Sequence, residues 1–154
     1  DSPMSRGLGD VYKRQLGPQM LKLTAELADG TNTWMVGPKT MEEHIMPCFE
    51  ASGNYSPEIV AGMPIVLTNN IDHAKESIGK SLAVYGQLPS YRAMLDREGA
   101  VGPADIAIIG DENKLGGEIK RLESLGVTDF NAAIMDVEDG AYHRTLEFLG
   151  SLRP

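Results

Sequence analysis

The chain has 154 residues, 42% of them hydrophobic and 23% charged, with a formal net charge of −8. That is enough chain for one domain with a real core, and the acidic balance argues against nucleic acid or an anionic membrane surface as partner, since both are bound through Lys and Arg. No apolar run approaches the ~20 residues that span a bilayer, no signal-peptide pattern opens the chain, and the single cysteine, Cys48, permits no internal disulfide, so a cytoplasmic setting is expected.

Residues 1–15 (DSPMSRGLGDVYKRQ) carry neither a helical nor a strand period and join a patterned chain abruptly at Leu16. GDVYKRQ resembles the translation of a sequencing adapter, as found at the ends of assembled environmental reads. Residues 1–15 are therefore expected to be a non-native or disordered leader, and residues 16–154 the domain.

Gly17-Pro18 opens a helix whose apolar stripe is Met20, Leu23, Leu27 and Ala28, with Gly30 as its C-cap. Thr31 to Val36 is β-branched and aromatic, and reads as a strand. Thr40 and Glu43 have the spacing of a capping box for a helix with Met41, Ile45, Cys48 and Phe49 on one face; Pro47 should kink or shorten it. Glu58 to Thr68 is a nearly continuous apolar run, as in a strand buried on both faces, with Gly62 and Pro64 suggesting a bulge. Asn70 can cap a helix striped by Ile71, Ala74, Ile78, Leu82 and Tyr85. Gly86 to Pro89 breaks it, a short helix covers Ser90 to Glu98, and Gly99 ends that helix. Ala104 to Ile109 is extended. Asp111 caps a helix bearing Leu115, Ile119, Leu122 and Leu125, which stops at Gly126. Phe130 to Met135 is the last strand, and Tyr142, Leu146 and Leu149 mark a terminal helix.

Strands alternating with helices imply parallel pairing through right-handed crossovers. About three good strands are few for a doubly wound sheet and about half of an eight-stranded barrel, which usually takes about 250 residues.

Leu16 to Gly30 (LGPQMLKLTAELADG) followed by TNTWMVGP resembles the luciferase-like monooxygenase family, where a barrel strand ends in Gly-Pro or Gly-Gly and Ala-Asp-Gly leads into the next strand. Tyr85 to Gly99 (YGQLPSYRAMLDREG) resembles that family's insertion before the last barrel helix, and Ile108 to Phe130 its closing unit. The order and spacing are most similar to the subgroup that uses coenzyme F420. Gly116-Gly117 departs from the family, which usually has helix formers there. The resemblance implies an α/β fold, the C-terminal half of a (β/α)8 TIM barrel with parallel strands and outer helices. It implies an oxidoreductase using F420, or alternatively FMN, on a small-molecule substrate, inactive as this piece and a homo-oligomer when whole.

Gly17, Pro18 and Gln19 are the first candidate site. A glycine at a strand-to-helix junction lets backbone N–H groups approach an anion, and the helix dipole favours it. By resemblance this loop holds the cofactor phosphate at the barrel mouth. Gly37, Lys39 and Thr40 form the next loop on the same mouth, facing substrate, or else a surface lysine and an N-cap. Trp34 faces either the cofactor or the core. His44 and Cys48, four apart, have ligand spacing but no second pair, so no metal is expected. His73 and His143 read as solvated. Tyr85, Gln87, Tyr91 and Arg92 border the mouth or pack outside the barrel. No catalytic residue is assignable. The alternatives are a non-catalytic barrel subunit and a small independent α/β domain, which would have a closed core without a large exposed apolar strand edge.

Overall fold

The computed structural model describes residues 17–152; the leader assigned to residues 1–15 lies outside them. The elements are α1 (Pro18–Leu27), β1 (Gly30–Trp34), α2 (Pro38–Thr40, a π-helical stretch Met41–Ile45, and Met46–Ala51), β2 (Glu58–Leu67), α3 (Ile71–Ser81), a 3-10 turn (Ala83–Gly86), α4 (Pro89–Glu98), a second 3-10 turn (Pro103–Asp105), β3 (Ile108–Gly110), α5 (Glu112–Ser124), β4 (Asp129–Ile134) and α6 (Ala141–Ser151).

All strands pair in parallel, and β2 is central. Its hydrogen-bonding parity shows how four strands share it. The Gly62 carbonyl accepts from the Met35 N–H, and the Thr68 N–H donates to the Gly110 carbonyl, so even positions serve the edge that holds β1 and then β3. The Ile65 carbonyl accepts from the Met135 N–H, so odd positions serve β4 on the other edge. Strands in chain order around a barrel would put β4 beside β3. Here β4 lies beside β2 instead, where it gains a six-residue register from Val60 to Ile65, twice the length that β3 offers.

No bulge interrupts β2 at Gly62 or Pro64. β1 stops opposite Gly62 and β3 starts opposite Ile65. Pro64 thus aims its missing donor into the gap between them and costs no ladder hydrogen bond. Gly62 has a separate reason: a Cβ there would lie 3.0 Å from the Trp34 ring.

The core divides between the two faces of β2. Ile59, Ala61, Met63 and Ile65 pack with Leu21 and Ala25 of α1, Met41, Ile45 and Phe49 of α2, and Leu115 and Leu122 of α5. Val66 packs with Ala74 and Ile78 of α3, Ile109, Val137 and Ala141.

Several local expectations need correction. Gly30 starts β1 rather than capping α1; the helix ends at Ala28 in extended conformation. A Cβ on Gly30 would fall 1.8 Å from the Glu58 carbonyl oxygen, so glycine is required by the approach of β1 to β2. Thr40 and Glu43 form no capping box, because α2 already begins at Pro38 with Gly37 as N-cap. Pro47 neither ends nor shortens α2: the π-helical stretch just before it, with the Met46 N–H on the Met41 carbonyl, absorbs the lost donor. Asn70 occupies the N-cap of α3 without a side-chain bond. Helix α5 runs unbroken through Gly116-Gly117, and Asp111 caps it by accepting from the Lys114 N–H at 2.8 Å. In α1 and α6 most of the expected stripe is exposed, namely Leu23, Leu27 and Ala28, and Tyr142 and Leu146, while Met20 is half-buried and Leu149 packs against the larger core; Leu21 and Ala25, and Ala141 and Thr145, are the buried positions.

Candidate active site

Each helix that follows a strand starts at that strand's C-terminal end, and α1 runs back to the start of β1. The N-termini of α1, α2, α3, α5 and α6 therefore lie on the same side of the sheet, the side on which parallel β/α folds carry their sites.

A pocket of about 590 Å³ opens there, walled by Thr68, Asn69 and Asn70 after β2, Asp111, Glu112 and Asn113 after β3, and Glu138 and Arg144 beyond β4. The buried Thr68 hydroxyl donates to the Glu138 carboxylate at 2.7 Å and accepts from the Asn70 N–H at 3.0 Å. The Arg144 guanidinium donates to the same carboxylate at 2.8 Å and to the Asp139 carbonyl at 3.1 Å. The pocket wall thus carries three carboxylates, Asp111, Glu112 and Glu138, against one guanidinium, Arg144. Sequence reading missed it. Its signal was the polar runs Thr-Asn-Asn and Asp-Glu-Asn placed directly after two apolar strands.

Gly17 is extended at the start of α1, Pro18 and Gln19 are exposed, no side chain caps the helix, and its first turn has no acidic residue. An uncapped helix start without acidic residues is electrostatically favourable to an anion. The second predicted loop differs. Lys39 and Thr40 donate their N–H groups to the Glu98 carboxylate at 3.1 and 2.7 Å, and the Thr40 hydroxyl donates at 2.8 Å. A Cβ on Gly37 would lie 2.3 Å from the Glu98 carboxyl carbon. Gly37, Lys39 and Thr40 are thus brought together, around a carboxylate of the chain itself.

Trp34 turns to the face of β2 that carries Gly62 and meets the Tyr85 ring edge-on at 6.0 Å; Tyr85 meets Tyr91 in the same way at 5.0 Å. Burial pushes the Tyr91 phenol up, and Tyr85 adds to the shift. This aromatic row joins β1 to the inserted segment. Gln87 is exposed beside the row. Arg92 donates to Asp96 and to the carbonyls of Ala100 and Val101, closing the end of α4 instead of reaching into the mouth. His73 is not merely solvated: its Nε2 lies 3.0 Å from the Val137 carbonyl. His143 is exposed and packs edge-on against Tyr142. Among the described residues no cluster of His, Cys, Asp and Glu has the makings of a metal site, and no helix is long and apolar enough to cross a membrane.

His44 sits in the π-helical stretch, where burial first and the Arg97 charge second lower its pKa from 6.5. The unfolded chain then binds the proton more readily than the folded one, so the stability this residue contributes is present above pH 6.5 and is lost as pH falls through the folded value. His44→Gln is expected to flatten the acid side of the stability curve below pH 6.5, as read from urea midpoints; an unchanged slope would refute the assignment.

No protein-family model matches the sequence, and no curated protein matches it. Solved structures do. An F420-dependent secondary alcohol dehydrogenase in complex with an F420-acetone adduct is similar over 90% of this chain and 47% of its own, at a TM-score of 0.63 and 18% identity. The coenzyme F420-dependent tetrahydromethanopterin reductase from Methanopyrus kandleri is similar over 88% and 47%, at 0.62 and 19%. A long-chain alkane monooxygenase is similar over 88% and 39%, at 0.53 and 16%. The chain spans about half the length of the first two and less of the third. It has the fold of the luciferase-like TIM-barrel oxidoreductases, over about half of their barrel.

Proposed function

We propose that this chain is part of a luciferase-like oxidoreductase that transfers hydride between F420 and a small polar organic substrate. The observation that carries the reading is a polar pocket at the C-terminal side of a parallel β/α sheet whose fold neighbours include two F420-dependent enzymes. Monooxygenation with reduced FMN is the second reading, favoured by the similarity to an alkane monooxygenase.

Both cofactors carry a phosphate, and the uncapped, acid-free start of α1 at Gly17, Pro18 and Gln19 fits one. The start of α2 does not fit while Glu98 holds its N–H groups. The bound cofactor supplies the redox chemistry. The chain's own residues have other tasks. The first N–H groups of α1 hold the phosphate. Glu138, Asn69 and Asn113 orient donor groups of the substrate, and Gly37, Lys39 and Thr40 border it. The protein works in the cytoplasm, and this chain alone is inactive.

The test is to recover any coding sequence upstream of Leu16, express the longer product, and titrate it with F420 and with FMN. Tight binding of one cofactor, weakened at least tenfold by a charge in the first turn of α1 (Gln19→Glu), supports the reading and names the chemistry. A folded product that binds neither removes it and leaves a non-catalytic barrel subunit.

A further inference from the structure

We propose that the chain carries a second ligand site, separate from the pocket of Thr68, Asp111 and Glu138, that takes a small amphipathic carboxylate, with one anionic head on a short apolar body. The inference rests on a cavity and the hydrogen-bonding capacity around it, independently of the cofactor reading.

The cavity holds about 400 Å³ and shares no lining residue with the first pocket. It lies beside the gap in one edge of β2, where β1 stops opposite Gly62 and β3 starts opposite Ile65. Met63, Ile106, Ile108, Ile109 and Leu122 line it, none of them more than 8% exposed. That floor suits a hydrocarbon body. Three cations, Lys75, Lys114 and Arg121, and three carboxylates, Glu98, Asp105 and Glu118, complete the lining.

The carboxylates are engaged within the chain. Both oxygens of Glu98 accept from the start of α2. Asp105 accepts from the Val101 and Gly102 N–H groups, and Glu118 from the Lys114 ammonium at 2.6 Å. Two of the cations are not so engaged. Among the described residues neither the Lys75 ammonium nor the Arg121 guanidinium donates a hydrogen bond, and the Arg121 ion pair with Glu118 spans 3.9 Å. Such an exposed pair is worth little, so Arg121 can be redirected at small cost. The spare capacity around an apolar floor is therefore mainly that of donors, and a guanidinium presents them as a planar fork that matches a carboxylate. The formal charges of the lining balance. A monoanion suits it better than a dianion, whose second charge would face three carboxylates at short range.

Isothermal titration of the 154-residue chain with octanoate tests this, with acetate, 1-octanol and inorganic phosphate as comparison probes. Octanoate should bind at least about tenfold more tightly than any of the three, because it alone joins a monoanionic head to an apolar body, and it should shift the Met63 methyl resonance. Lys75→Gln and Arg121→Gln alter exposed side chains, so circular dichroism should stay unchanged while each weakens octanoate about tenfold. Arg144→Gln, in the first pocket, should leave that binding as it is. No binding of octanoate, equal binding of a comparison probe, or indifference to Arg121→Gln overturns the proposal. Loss with Arg144→Gln instead would place the anion in the first pocket and overturn it as well.

Discussion

Phe49→Ala is expected to lower the free energy of unfolding by about 3–5 kcal/mol, the usual cost of emptying a buried aromatic site. Phe49 is 0% exposed and lies on α2 within the larger core cluster. Around it the backbone is already committed: the Phe49 carbonyl accepts from the Ser52 and Asn54 N–H groups and from the Ser52 hydroxyl. The end of α2 therefore cannot collapse into the cavity without giving up those bonds. Against a total stability of ~5–15 kcal/mol for a domain, this is a large fraction. The urea midpoint should fall with the slope of the transition unchanged. A loss below about 1 kcal/mol would contradict the placement of this ring.

Glu98→Ala removes three hydrogen bonds from the start of α2 and should cost about 2–3 kcal/mol, the range for bonds to a charged, partly exposed acceptor. Gly37→Ala should reproduce most of that loss, because the new methyl group needs the space the carboxylate fills. The two changes address one contact, so the double variant should be little worse than either single variant, whereas independent sites would add. Thermal melts of the four proteins in the cycle read this directly. Full additivity would mean that Glu98 and Gly37 stabilise the fold separately.

Element type was legible wherever a long periodic segment met a strong stop. The run from Glu58 to Thr68, the Asp111 cap and the helix ends at Gly99 and Gly126 all appear in place. What the sequence concealed was the context in which a residue works. Gly30 has the composition of a helix stop, yet its role comes from a strand 28 positions away in the register, Glu58. The Thr40 and Glu43 spacing was sound as a local pattern, but a distant carboxylate, Glu98, supplies the cap instead. The exposed Leu23 and Leu27 of α1 and Leu146 of α6 show the same limit: periodicity reveals an apolar face and does not say which neighbour it meets. The pocket of Thr68, Asp111 and Glu138 was not found, because its polar lining depends on three loops meeting, which no local pattern records.

Pro64 divides one edge of the central strand into two ladders that close separately. From Glu58 to Gly62 the strand is held by β1; beyond the gap, β3 offers only three residues. Amide exchange should accordingly be uneven along a single strand. The Val66 and Thr68 amides are expected to open at lower free energy than those paired along β1, because a short ladder with few bonds is a separate and weaker cooperative unit. Thr68 and Asp111, two walls of the pocket, are mounted on that weaker corner. The weaker ladder therefore lies next to the pocket, and faster exchange at Val66 and Thr68 than along β1 is the expected result.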